Sequence, residues 1–282
     1  MLLKTNLLIK LNKLMKNRNL NVMLSIAGSD NSGGAGIQCD IKTCNLLNAY
    51  CLSCVTVITS QNSKNVKEIF EIPPKILESQ ISSLLNDYKI DCIKVGLIKN
   101  ITQTRSIIKF LKKFKKNFPI VVDPIYKSTT NKTFNRPKDY RNIYSLISSV
   151  KPIFTPNLYE AKILLNINDK CKIDPLEIVK KFYNKFKSPV VVTDAGSNMK
   201  LCEDFYCDTH NVVNKLTSKK ILSNNTHGSG CTFSSSLVIF MAKGLSLSES
   251  VKSAKKFTKK CIINAPNFNL SYGPIGHFYE RT

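Results

Sequence analysis

The sequence predicts an α/β domain, a mostly parallel sheet covered by helices on both faces, and two observations carry that prediction. Short runs that are apolar throughout, rather than alternating, recur along the chain, as strands buried on both faces require. Between them lie longer segments with apolar residues at helical spacing, which supply the crossovers that parallel strands need. At 282 residues the chain is long enough to bury a sizeable core without disulfides or a metal. Residues 21–282 are therefore expected to form a single domain behind a basic extension over 1–20.

Taken in order, VMLSIAG (22–28) reads as the first strand, and GGAGIQCDIKTCNLLNAY (33–50) as a glycine turn opening a helix. SCVTVIT (53–59) is the second strand, and PPKILESQISSLLNDY (73–88) a helix started by proline, whose missing N–H costs nothing in the first turn. DCIKVGLI (91–98) is the third strand, TQTRSIIKFLKKFKK (102–116) a helix, and PIVVDPI (119–125) the fourth strand. KPIFTPN (151–157) and SPVVVTDAG (188–196) continue the set, separated by helical patterns over 158–165 and 175–187. LCEDFYCDTHNVVNKL (201–216) predicts a hairpin, and 226–244 and 246–265 two consecutive helices.

The balance of 42 Lys and Arg against 19 Asp and Glu gives a formal charge of +23, which favours polyanions. The lysines, however, are dispersed over amphipathic segments such as IIKFLKKFKKNF, where they form solvated helix faces. No zinc-finger or helix-turn-helix spacing accompanies them, so no specific nucleic-acid partner is expected. The first twenty residues carry five basic and no acidic residues, with leucines able to line one helix face. An ordinary extension and an organellar import or membrane-contacting segment both fit. Lysines interrupt each of its apolar runs, and no stretch reaches the roughly 20 apolar residues of a spanning helix. Ten cysteines at irregular spacing read as free thiols of a reducing compartment, so a cytoplasmic location is expected, with organellar import through the basic extension the alternative. A zinc site from Cys51, Cys54, Cys202 and Cys207 is the weaker account of the CxxC.

The segment NNTHGSGCTFSSSL (224–237) is the strongest local signal of chemistry. Gly228, Ser229 and Gly230 lead into a helix whose first turn presents unsatisfied N–H groups, and glycine lets an anion approach them closely. Phosphate is the natural ligand, although a turn and helix cap explain two glycines equally well. A thiol at Cys231, in the first helical turn, is expected to have a lowered pKa suited to sharing a proton. A small buried residue under the loop is the alternative. Asp123 ends a strand where ligands of open α/β sheets gather. Asn157 and Glu160, three apart after another strand, suit either a Mg²⁺ that keeps its waters or an ordinary capping box. At the other end, AGSDNSGGAGIQCD (27–40) sets a glycine turn directly after the first strand, with Asp30 a turn residue and Asp40 a helix-surface charge. Gln61 offers a donor and an acceptor that match a ring nitrogen and its exocyclic amine, although a solvated loop amide looks identical in sequence.

Together these segments resemble the hydroxymethylpyrimidine/phosphomethylpyrimidine kinases of thiamine biosynthesis, a branch of the ribokinase-like kinases. The matching pieces are IAGSDNSGGAGIQCDIKT, VITSQNS, KVGLI, VVDP, TPNLYEA, NTHGSGCT and GPIGHF, in the same order from about residue 22 to 278. The resemblance implies a three-layer α/β/α domain without a large lid domain, and a homodimer. It implies that ATP phosphorylates 4-amino-5-hydroxymethyl-2-methylpyrimidine and then its monophosphate. The pyrimidine would lie near Gly28, Ala35, Asp40, Gln61 and Leu97. Asn157, Thr226, Gly228 and Gly230 would meet ATP, Asp123, Asn157 and Glu160 would serve Mg²⁺, and Cys231 would stand where related sugar kinases have an aspartate base. Gly228, Ser229 and Gly230 would stabilise the transferring phosphoryl group beside it.

Two departures stand out. The family's Lys-Gly-Gly is replaced by Asp194, Ala195 and Gly196, which turns an attractive charge repulsive unless a nearby lysine compensates. After Asp123 the chain runs PIYKSTTNKTF, with Tyr126 and no glycine where the family has a glycine-containing flap. A pyridoxal-type kinase is the nearest rival within the superfamily. A basic nucleic-acid-binding protein on a degenerate kinase fold is the rival from another class.

Overall fold

The computed structural model describes residues 20–114, 118–196, 198 and 200–278. The expected extension over 1–20 therefore lies almost wholly outside the described residues. Nine strands form one sheet in the order β3-β2-β1-β4-β5-β6-β7-β8-β9. The strands are β1 (Asn21–Asp30), β2 (Ala49–Gln61), β3 (Val66–Glu71), β4 (Cys92–Val95), β5 (Ile120–Val122), β6 (Ile153–Phe154), β7 (Val190–Val192), β8 (Leu201–Cys207) and β9 (Val213–Lys219). The six strands from β2 to β7 run parallel, and β3, β8 and β9 add antiparallel edges.

The helices are α1 (Gly36–Leu46), α2 (Pro74–Leu85), α3 (Ile101–Leu111), α4 (Pro137–Ile147), α5 (Leu158–Leu165), α6 (Pro175–Phe186), α7 (Ser229–Ala242) and α8 (Leu247–Ile263). Side-chain alternation along each strand divides them into two layers. Leu24, Val122, Phe154 and Val192 pack against Ile107 and Phe110 of α3, Tyr140 and Tyr144 of α4 and Phe182 of α6. Their neighbours Met23, Val121, Ile153 and Val191 point the other way, onto Leu237 and Val238 of α7 and Val251 and Ala254 of α8. Both faces are covered, which is why these strands are apolar at every position.

Helix α7 is buried from Cys231 to Ile239. Four of those residues are Thr232, Ser234, Ser235 and Ser236, and each hydroxyl finds a partner inside the fold. The strand ends Asp30, Asp123, Asn157 and Thr193 consequently open at one edge of the sheet, facing the start of α7.

Two elements were not anticipated from the sequence. Strand β3 reads VKEIFE, charged and exposed at its outer position, so it lacks the signature of a buried strand. Helix α4 carried a legible signal, a proline in its first turn and buried Tyr140, Ile143, Tyr144 and Ile147 at helical spacing.

Candidate active site

A crevice of about 780 Å³ opens at this edge. Gly28, Ala35, Gln61, Leu97, Asp123, Asn157, Glu160, Thr226, Gly228, Ser229, Gly230 and Cys231 all line it. Of the site residues that the resemblance implies, Asp40 alone does not.

Asp40 is fully buried in α1, and its carboxylate accepts from Ser25 Oγ at 2.5 Å, from Ser235 Oγ at 2.7 Å and from Lys94 Nζ at 3.0 Å. Lys94 itself has no exposed surface. The expectation that Asp40 meets the pyrimidine, or stands on a helix surface, is therefore corrected. It belongs to a buried charge network under the crevice floor, because three donors from three elements saturate it.

The phosphate-loop candidate is built by backbone geometry. Gly228 caps α7 in the left-handed region, at φ +89, and a Cβ there would collide with the carbonyl oxygen of Gly34. The two glycine segments thus touch backbone to backbone. Ser229 N–H donates to the Thr226 carbonyl at 3.0 Å, while the amides of Gly230 and Cys231 fall in the first turn, where no intrahelical acceptor exists.

Cys231 is 5% exposed. Burial pushes its thiol up to about 12, and Asp40 and Asp123 add to the effect against the opposing charge of Lys94. The lowered value expected from a helix start is thus reversed by desolvation. At neutral pH Cys231 is therefore a thiol.

Asp123 accepts from Ser234 Oγ at 3.1 Å, and burial raises it to about 6. Asn157 and Glu160 make the full capping box at the start of α5. They also line the crevice, so the two roles coexist. Glu160 accepts from the Tyr126 amide at 3.1 Å and from the Asn157 amide at 3.0 Å, which fastens the segment after Asp123 to α5. Burial, with Asp123 beside it, pushes Glu160 up to about 8. Two carboxylates that burial pushes toward their protonated forms are a donor set a divalent cation satisfies, since its charge offsets what burial costs their ionised forms. The residues present fit Mg²⁺. Among the described residues no cluster of three or more His, Cys, Asp or Glu suits a metal, so the CxxC carries no zinc site there.

The 124–134 segment closes a small turn despite lacking glycine. Lys127 bridges Thr133, and Asn131 takes the left-handed position, at φ +64, that a glycine would otherwise fill. Thr129 at its tip meets His227 Nδ1 at 2.8 Å. His227 Nε2 lies 2.9 Å from Asp30 Oδ2, and that carboxylate also accepts from the Gly34 and Ala35 amides. Hydrogen bonds from His227 and Ser32 outweigh burial and hold Asp30 well below the usual carboxylate range. His227 therefore ties the glycine turn, the flap and the α7 loop together. It was legible only as the middle of NTHGSGCT, since its partners lie 197 and 98 residues away.

At the far end of the crevice Asp194 adopts φ +53, which aspartate tolerates better than most residues. Its amide donates to Asp204 Oδ1 at 2.9 Å, and Cys202 Sγ donates to its Oδ1 at 3.6 Å. Lys255, Lys219, Lys220 and Lys259 surround this end, so lysines stand beside the substituted aspartate.

Comparison with known proteins follows the same outline. Residues 30–276 match the family described as phosphomethylpyrimidine kinase. A hydroxymethylpyrimidine/phosphomethylpyrimidine kinase of Haemophilus influenzae is 30% identical over 93% of this chain and 99% of its own length. A probable thiamine biosynthetic bifunctional enzyme of Oryza sativa, chloroplastic, is 32% identical over 91% of this chain. The chain spans about half the length of that plant relative and of a bifunctional enzyme from Arabidopsis thaliana, 47% and 51% respectively. Among solved structures, the ADP complex of Bacillus subtilis pyridoxal kinase superposes with a TM-score of 0.80 at 28% identity, covering 92% of this chain and 98% of that one. A phosphomethylpyrimidine kinase from Clostridium difficile gives 0.70 at 28% identity, covering 86% and 99%.

Proposed function

The chain belongs to the phosphomethylpyrimidine kinase family, and from that premise we propose that it uses ATP to phosphorylate 4-amino-5-hydroxymethyl-2-methylpyrimidine and then its monophosphate. The observation that carries the reading is the convergence of Asp123, Glu160, Cys231 and the glycine-opened start of α7 on one crevice. Phosphoryl transfer asks the protein for alignment and for compensation of charge on the equatorial oxygens, and little else. The amides of Gly230 and Cys231 provide that compensation in a cradle where no side chain intervenes.

Cys231 stands beside the attacking hydroxyl. Its thiol is neutral at rest and already holds its proton, so in that form it orients the alcohol by hydrogen bonding; only the thiolate, formed by prior loss of that proton to solvent, would take the hydroxyl proton. Asp123, Glu160 and Asn157 would hold Mg²⁺ through carboxylate oxygens and waters. The cation supplies neutralisation of the phosphate oxygens. Gly28, Leu97 and Phe134 give the ring its flat walls, and Gln61 at the mouth supplies a donor and an acceptor to its edge. Lys127, whose Nζ lies 4.5 Å over the Tyr159 ring, is parked at the wall from which the flap reaches the phosphates.

A second reading, phosphorylation of pyridoxal-type alcohols, is favoured by the superposition on pyridoxal kinases, including one from Staphylococcus aureus solved with AMP-PCP and pyridoxal at a TM-score of 0.79. Coupled measurement of ATP consumption with the pyrimidine alcohol, its monophosphate and pyridoxine, in parallel, separates them. A large preference for pyridoxine overturns the pyrimidine assignment, and no turnover with any of the three overturns the kinase reading.

We also take the chain to act as a homodimer, on the strength of Ile58 and Phe70, which pair across β2 and β3 and are 48% and 62% exposed. Sedimentation tests this, and a monomer at micromolar concentration refutes it. No helix among the described residues is long and apolar enough to cross a membrane. A cytoplasmic location is part of the same proposal.

A further inference from the structure

We propose that Lys255, clamped by the buried carboxylate of Asp204, is the cation that holds the phosphate chain of the nucleotide at the β7 end of the crevice and offsets Asp194. The inference rests on the kinase reading and extends it to a residue that no motif marked. Lys255 opens a face of α8 on which Lys255, Thr258, Lys259 and Ile262 all line the crevice, at the spacing i, i+3, i+4 and i+7. That face is charged at one end and apolar at the other, where Ile262 and Ile221 offer a surface for a flat base.

The charged end adjoins the phosphate chemistry. Asn157 bridges Thr193, the residue before Asp194, and Asn157 begins the helix that carries Glu160. The lysine is also prepared for its ligand. Its side chain is 16% exposed and that of Asp204 is fully buried. Nζ donates to Asp204 Oδ1 at 3.0 Å and lies 2.8 Å from Oδ2, an ion pair that fixes the ammonium. Nζ also donates to Cys202 Sγ at 3.0 Å, a weak acceptor that a phosphate oxygen in the crevice replaces. Lys219 and Lys220 line the same end but are exposed, with no such clamp. Asp204 is a positioning residue, holding the ammonium at one place and one orientation.

The test is calorimetric binding of Mg-ADP to the full chain, with KM values measured alongside. Asp204→Asn combined with Lys255→Met removes both charges, so no buried carboxylate is left alone. Its dissociation constant should rise about 10- to 100-fold, while KM for the pyrimidine alcohol changes less than about twofold. Adding Asp194→Lys to that pair should recover about tenfold. The backbone accepts the change, because Lys151 and Lys187 already sit at φ +51 and +50. Asp194→Lys alone, at an exposed position, should tighten Mg-ADP severalfold and keeps the test open if the paired variant does not fold. Unchanged affinity in the paired variant, a loss shared equally by nucleotide and pyrimidine, absence of rescue, or no tightening by Asp194→Lys each overturns the assignment. Failure of the wild-type chain to bind Mg-ADP overturns the kinase reading, and this inference with it.

Discussion

Replacing Gly228 by alanine tests the catalytic account at its most constrained atom. The backbone there sits at φ +89, a conformation that costs an L-residue about 1–2 kcal/mol. The new Cβ would also overlap the Gly34 carbonyl oxygen and stand 3.0 Å from the Gly34 carbonyl carbon and 3.4 Å from Cys39 Sγ. Two of those three atoms are backbone, so they cannot rotate away, and overpacking adds about 1–3 kcal/mol. Together the penalties amount to about 2–5 kcal/mol, which lowers Tm by roughly 5–15 °C for a chain of this size.

Relief requires the α7 loop to retreat by on the order of 1 Å, and a displacement of that size at reacting groups costs about a hundredfold in rate. Gly230→Ala is the control, since its Cβ would meet only Asp123 Oδ2, at an ordinary 3.9 Å. Its melting temperature should stay within about 2 °C of wild type. The assays are thermal melting and coupled ATP consumption at saturating substrates. A folded Gly228→Ala protein that keeps a third or more of wild-type turnover refutes the claim that this backbone cradles the transferring group.

Cys231→Ala should lower turnover at least about tenfold while Mg-ADP affinity stays within about threefold; unchanged turnover removes the thiol from the chemistry. Lys94→Met leaves Asp40 buried without its counter-charge and should destabilise the fold by about 3–5 kcal/mol, read by denaturant unfolding. A variant as stable as wild type would show that the pair does not support the floor. His277, whose Nε2 lies 3.1 Å from Thr232 Oγ1 and 3.3 Å from Thr43 Oγ1, is lowered by burial from 6.5 to about 4. Below about pH 6.5 the unfolded chain takes up this proton and the folded chain does not until about pH 4, so stability falls as pH drops through that window. His277→Gln should flatten the slope of Tm against pH there, and an unaltered slope would place the titration elsewhere.

The sheet was legible because burial on both faces writes the same signal into every parallel strand. Strand β3 escaped because an exposed edge imposes no apolar pattern, and Phe70 projects from it largely into solvent. In the site, Asp123, Asn157 and Glu160 could be placed from the sequence because strand ends converge in this architecture. Asp40 could not, because the periodicity of α1 shows which residues share a face but not that Lys94, 54 residues away, awaits on it. The thiol of Cys231 shows the same gap in electrostatic form. Its helix position argues for a lower pKa, while the burial and neighbouring carboxylates that reverse the sign arise only on folding. Lys255 and Asp204 lie 51 residues apart in segments that read as ordinary amphipathic structure.

The contact between the two glycine segments constrains how catalysis and substrate recognition are related. A Cβ on Gly34 would strike the ring of His227, and one on Gly228 would strike the carbonyl of Gly34. The turn after β1 and the loop before α7, almost two hundred residues apart, are therefore fitted to each other at van der Waals limits before any ligand arrives. Asp30 reinforces that fit by accepting from both Gly34 N–H and His227. Glycines that invite the reading of room for a ligand are here filled by another stretch of the same chain. A ligand that presses on the turn displaces the phosphate cradle by a comparable distance, since no soft side chain lies between them. Ring recognition and phosphate alignment then behave as one mechanical unit, and Gly34→Ala, though on the pyrimidine side, should lower turnover more than it raises KM for the alcohol. A pure KM effect would mean that the two loops move independently.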